Sequence, residues 1–245
     1  MTFPEFEQHI NISFKNKELL TQAFIHRSFI NENVKSGLSH NERLEFLGDA
    51  VLELVVTEYL YEKFPNHNEG DLTAYRSALV NAVTLGEVAW ELKFNDMMKL
   101  SKGEAKDITR ARSSILADAY EAFTGALYLD QGYSSARDFI ARTLLIKIDE
   151  IISRGLYKDA KSFVQEKSQE LYGITPSYKL ISEEGPDHDK IFKIGIYFGD
   201  EKISEGEGKS KQEAETASAR NALDKKGWVG KKIITNKKNN HNNQG

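Results

Sequence analysis

NERLEFLGDAVL, residues 41–52, opens a helical apolar pattern that runs to Phe64 and stops at Pro65. Within it Glu42, Glu45 and Asp49 are spaced by three and four residues and share one helix face. Glu45 and Asp49 fall on a stripe with Leu52, Val56 and Tyr59. That stripe is otherwise apolar and is expected to turn inward. Two carboxylates placed there repel each other and lose hydration. A buried Arg or Lys, shared protons or a divalent cation would have to offset that cost.

The same oddity recurs downstream. In SILADAYEAFTGALYLD, residues 114–130, Asp118 and Glu121 lie one helical turn apart. Asp118 is in line with Ala122, Gly125 and Leu129, a stripe of mostly small residues that lets another helix approach closely. If the two stripes face each other, Glu45, Asp49, Asp118 and Glu121 form an oxygen-rich cage suited to Mg²⁺ or Mn²⁺. Glu69, in NEGD after Pro65, could add a fifth carboxylate from a loop. The competing reading is a set of ordinary solvated helix faces, since one such pair is no evidence for a metal.

Outward from these segments, residues 1–153 carry only helical periods, at 17–29, 41–64, 70–92, 112–129 and 134–152, with no convincing strand. The pattern changes after Gly155. A helix at 160–172 stops at Gly173, and strands follow at 177–182, 191–198 and 202–206. A helix at 210–226 closes the unit. The expected fold is therefore two domains: an all-α domain at 1–153 and an α+β domain of order α-β-β-β-α at 159–228. A linker at 154–158 joins them, and a Lys/Asn-rich tail at 229–245 is expected to be disordered.

The 245 residues include no cysteine, which excludes disulfides, thiolate zinc sites and a cysteine nucleophile. The formal net charge is -4, mildly against a nucleic-acid partner. By segment it is -5 for 1–158, -3 for 159–230 and +4 for 231–245, so cations for RNA would have to be placed locally. No apolar run is long enough to span a bilayer, and no signal peptide is visible. A cytoplasmic protein without a membrane association is expected.

HNERLEFLGDAVLE, residues 40–53, resembles the signature of the bacterial ribonuclease III family. AFIHRSF (23–29), FPNHNEGDLTAYRSALV (64–80) and 114–130 support the likeness. The second domain resembles a double-stranded-RNA-binding domain. Together the likeness covers nearly all of the chain except the tail. It implies an endonuclease domain and hydrolysis of phosphodiester bonds in double-stranded RNA by metal-activated water. It implies that Glu45, Asp118 and Glu121 hold Mg²⁺, with Mn²⁺ able to substitute. Asp49 would orient the attacking water, and Glu121 would also be essential to the chemistry. Glu42 and Glu69 match family positions linked to the processing centre and the dimer.

The likeness also implies a homodimer in which each subunit cuts one strand. Products would bear 5′-phosphates, 3′-hydroxyls and short 3′ overhangs. Substrates would be ribosomal RNA precursors and structured messenger RNA. Phe46 would pack across the dimer interface, although its position alone equally suits a core residue. Gly48 would permit close packing beside the acidic cluster. His26, Arg27 and His40 are expected to serve structure or subunit contact rather than catalysis.

Double-stranded RNA is read by shape, through 2′-hydroxyls in the minor groove and phosphates across the major groove. Ser162, Gln165, Glu166 and Gln169, on or near one face of the 160–172 helix, suit hydroxyl recognition. His188, in the loop at 185–190, could reach a second minor groove. Lys209 and Lys211 lie beside a helix N-terminus, where lysines and free N–H groups together favour phosphate. Gln212 stands where the family usually has a further Lys. That departure and the acidic balance imply weaker phosphate attraction, and so more reliance on dimerisation or metal.

Overall fold

The computed structural model describes residues 1–106, 110–157, 159–186 and 190–228, with the side chains of 110 and 111 left aside. The expected tail and His188 lie outside the described residues. The chain divides into two compact units, Met1–Ile151 and Ile152–Gly245.

The first unit is helical. Its elements are α1 (Phe3–Ile10), α2 (Lys17–Ala23), α3 (Arg27–Glu32), α4 (Glu42–Lys63), α5 (Glu69–Leu79), α6 (Ala82–Glu91) and α7 (Arg110–Thr143), and α8 (Ile148–Ser153) follows. The helices depart from the expected pattern at α1, within 17–29, within 70–92 and within 134–152, where α7 ends at Thr143 and α8 starts afresh at Ile148. α1 lacks a sequence counterpart above. Thr2 and Glu5 form a reciprocal capping box there, and Pro4 stands in its first turn. The helix expected at 17–29 is two helices. Between them Ile25 pairs with Lys99 in a short parallel bridge, and the His26 side chain caps α3. The period expected at 70–92 is also broken, because the Asn81 side chain accepts from the amides of Val83 and Thr84 and starts α6 afresh. α7 contains the interruption expected at Gly132, whose φ of 82° only glycine adopts readily.

Burial of aromatic rings organises this unit. Phe6, Phe24, Phe94, Phe123 and Phe139 are at most 1% exposed, and successive rings lie 5.0–5.2 Å apart from Phe6 to Phe139. The chain of contacts ties α1, the end of α2 and both halves of α7 into one core. α4 packs along α7, and glycines set how closely. A Cβ on Gly48 would lie 1.8 Å from the Glu121 carbonyl oxygen, and one on Gly125 would lie 2.2 Å from that of Leu44. Only hydrogen side chains permit this crossing.

The second unit follows the expected order, with α9 (Ala160–Tyr172), β1 (Ser177–Glu184), β2 (Ile191–Phe198), β3 (Glu201–Gly208) and α10 (Lys211–Lys226). The sheet is antiparallel in the order β1-β2-β3, with Ser177 opposite Tyr197 and Phe192 opposite Gly208. Phe163 and Val164 of α9, Ile196, Phe198 and Ile203 of the sheet, and Ala219, Ala222 and Leu223 of α10 form its core. Gly206 admits α10 onto β3, since a Cβ there would lie 2.1 Å from the Ser218 nitrogen.

Candidate metal centre and RNA-binding surface

The Gly48–Gly125 crossing places the first turns of α4 against the middle of α7. Glu45 lies one turn before Gly48, and Asp118 and Glu121 lie two turns and one turn before Gly125. One carboxylate oxygen from each of Glu45, Asp118 and Glu121 falls within 4.8 Å of the other two. All three residues are half-buried.

The charges acting on this group oppose its ionisation. Burial, then Asp118, Glu42 and Asp49, push Glu45 up to about 7. Burial, then Asp49, Asp118, Glu45 and Glu53, push Glu121 up to about 8. Asp118 is raised by burial and by Glu42, against the lowering effect of His26. Oxygen donors crowded to this degree, with neighbouring carboxylates adding to the negative potential, fit a hard divalent cation such as Mg²⁺.

Asp49 stands outside the group of three and is exposed, although its charge acts on both Glu45 and Glu121. The inward placement expected for Glu45 and Asp49 is therefore corrected. The buried stripe of α4 runs through Leu44, Gly48, Val51, Leu52, Val55 and Val56, and the carboxylates line its rim, where they keep part of their hydration. Glu42 is exposed and pairs with Arg27, at 3.4 Å, and His40, at 3.7 Å. Glu69 is the first residue of α5 rather than a loop residue, and it accepts a hydrogen bond from Thr73 at 3.3 Å. It does not join the three carboxylates. It lines a separate cleft of about 420 Å³ with Thr57, Leu60, Tyr61, Leu72 and Arg76.

Phe46 is 81% exposed, which sets aside the core reading for this chain. It heads an exposed line along α4 that continues through Ala50, Leu54 and Tyr61. His26 accepts from the Ser28 amide and shares a 2.8 Å hydrogen bond with the Ser28 hydroxyl.

In the second unit Ser162, Gln165, Glu166 and Gln169 are all exposed on one side of α9, opposite Phe163, Val164 and Ser168. Gln169 donates to the Thr175 hydroxyl at 3.1 Å. Lys209, Lys211 and Gln212 are exposed at the start of α10. Ser210 caps that helix by accepting from the Glu213 amide, and Lys211 lies 5.9 Å from the Phe192 ring centre.

The family models that match are Ribonuclease-III-like, over residues 16–148, and double-stranded RNA binding motif, over 160–226. "Ribonuclease 3" of Borreliella burgdorferi is 45% identical over 219 residues, 89% of each chain. This chain belongs to the ribonuclease III family. "Ribonuclease 3" of Streptococcus pneumoniae is 42% identical over 89% of this chain and 94% of its own. The nuclease domain of ribonuclease III from Campylobacter jejuni, described for structural flexibility in a region involved in dimer formation, superposes with a TM-score of 0.53. It is 41% identical over 60% of this chain and 96% of its own.

For a ribonuclease III, two features near the carboxylates escaped sequence reasoning. Glu53 acts on Glu121 and is held by Arg76 at 2.9 Å. Its place one turn beyond Asp49 was a local signal for it. Asn41 is buried and tied to Ala23 and Ile25. No local pattern announces that tie, because it depends on how α2 is packed. Among the described residues, no helix is long and apolar enough to cross a membrane.

Proposed function

We propose that this ribonuclease III hydrolyses phosphodiester bonds in double-stranded RNA, with Glu45, Asp118 and Glu121 holding Mg²⁺ or, in its place, Mn²⁺. The observation that carries this reading is the meeting of three half-buried carboxylates from two helices in a chain that also bears a double-stranded RNA binding motif. When bound, the cation supplies a nucleophilic water at neutral pH and offsets charge on the phosphate. Asp49, exposed beside the group, orients the attacking water, and Glu121 is essential to the chemistry as well as to metal retention. Glu42 and Glu69 are accessory. Ser162, Gln165, Glu166 and Gln169 meet ribose hydroxyls, His188 reaches a second minor groove, and Lys209 and Lys211 meet phosphate.

The exposed line Phe46, Ala50, Leu54 and Tyr61 on α4 supports a homodimer, since an apolar helix face of this kind buries against a second copy. Each protomer then cuts one strand, leaving 5′-phosphates, 3′-hydroxyls and short 3′ overhangs on ribosomal RNA precursors and structured messenger RNA in the cytoplasm. The working units are the nuclease domain at 1–153 and the RNA-binding domain at 159–228, joined by the linker at 154–158, with 229–245 as a tail.

Glu121→Gln tests the assignment. The variant is expected to shift duplex RNA in a gel as the wild type does, yet to leave it uncut with Mg²⁺. Normal cutting by the variant would overturn the role of Glu121. Equal cutting by the wild type in EDTA would overturn the metal.

A further inference from the structure

Asn41 stands at the start of α4 but does not act as a helix cap. A capping asparagine has extended backbone and turns its side-chain oxygen onto the free amides of the first turn. Asn41 makes no such bond, and its backbone is already helical at φ -84° and ψ -11°. It is 1% exposed, and its Nδ2 donates to the Ala23 carbonyl at 3.2 Å. Its main-chain N–H donates to the Ile25 carbonyl at 2.9 Å. Gln22 adds a third tie, from Nε2 to the His40 carbonyl at 3.0 Å. Ile25 is itself bridged to Lys99, so the segment that grips Asn41 is part of the packed unit.

The Asn41 carbonyl accepts from the amides of Leu44, at 2.8 Å, and Glu45, at 3.0 Å. The residue gripped by α2 and its C-terminal extension thus forms the hydrogen bond that fixes the backbone of Glu45. Glu45 lies in the first turn of α4, where an unsupported helix frays. Gly48 clamps α4 to α7 only one turn further on. Metal ligands must be held to within a few tenths of an ångström.

We propose that Asn41 is a positioning residue for the metal centre: its side-chain tie to Ala23 sets the start of α4 so that Glu45 meets Asp118 and Glu121. This rests on the reading of those three carboxylates as metal ligands. Asn41 touches neither metal nor RNA in this role, and acts through the backbone of Glu45.

Asn41→Ser and Asn41→Ala, compared with Leu60→Ala, separate positioning from general stability. Serine favours the capping geometry, which restores the helix start but abandons Ala23. Leu60→Ala leaves a cavity in the same helix roughly four turns from Glu45. Mn²⁺ binding to the full chain without RNA is measured by titration calorimetry, and thermal unfolding is measured in EDTA.

Both Asn41 variants are expected to bind Mn²⁺ about tenfold or more weakly. Asn41→Ser should keep most of its thermal stability. Leu60→Ala should unfold at a lower temperature than Asn41→Ser and bind Mn²⁺ as the wild type does. Wild-type affinity in both Asn41 variants would overturn the proposal, as would equal weakening in Leu60→Ala. A wild-type chain that binds no Mn²⁺ would overturn the metal reading and this proposal together. Binding that Glu45→Gln abolishes leaves the metal reading standing whatever Asn41 does.

Discussion

At Glu121 and Glu45, burial and surrounding carboxylates favour the protonated form, with values of about 8 and about 7 against an ordinary 4.5. The folded protein therefore holds protons that the unfolded chain releases in the window between 4.5 and about 8. Stability falls with rising pH wherever the native state binds more protons, so these groups weaken the metal-free fold across that window. Under the proposed metal reading, a divalent cation would replace the protons and remove the penalty. In EDTA, the urea midpoint is expected to drop between pH values of about 5.5 and 8.5, and saturating Mg²⁺ should recover much of the loss at the upper end. An Mg²⁺ effect equal at both pH values would contradict this reading. Both residues were visible in sequence as misplaced carboxylates. Their half-exposed setting at a rim was not, because which side of α4 touches α7 depends on Gly48 and Gly125 together.

At the scale of elements, the α4–α7 crossing holds the centre, and its closeness comes from two glycines. Gly48→Ala would place a methyl group 1.8 Å from the Glu121 carbonyl oxygen, on a helix backbone that cannot yield cheaply. The expected cost is about 2–3 kcal/mol, in the range of overpacking, with loss of Mg²⁺-dependent cleavage because Glu121 must move. Urea denaturation and a duplex-cleavage assay check this, and wild-type behaviour in both would refute the crossing. Other element boundaries show where local reading ends. The strands and α9 were legible because short strand-like runs bounded by turn residues and a helical period are local signals, and Gly173 supplies a C-terminal stop. α1 is short enough to hide its period, and its capping box was the better signal. The break between α2 and α3 depends on Lys99, distant in sequence, and no local period records it.

For the whole molecule, the exposed α4 line predicts a two-fold assembly. In such an isologous contact each substitution acts twice. Phe46→Glu is expected to weaken dimerisation roughly 30-fold or more, the scale of a central aromatic contact, and to cost paired cutting of the two strands. Analytical ultracentrifugation across a concentration series measures it. A variant that stays dimeric at wild-type concentrations would remove Phe46 from the interface, and a monomeric wild type would remove the dimer. RNA binding belongs to this scale as well. Residues 159–230 carry a net charge of -3, so the affinity of this domain depends on where a few groups stand rather than on net charge. In the function proposed above, the exposed side of α9 and the lysines at the start of α10 provide those groups.

By itself the sequence determined the two-part architecture, the order of strands and helices in the second unit, and the helical spacing of the four acidic positions. These are properties of residue type and spacing along one chain. The tertiary structure decided which of those carboxylates meet, grouping Glu45 with Asp118 and Glu121 while leaving Asp49 at the edge and Glu69 in another cleft. It also revealed the tie from Asn41 to Ala23. The physical reason is the same in each case. A helical period tells which residues share a face, but the crossing of two helices, set here by Gly48 and Gly125, selects which part of each face is buried and which side chains are brought within reach.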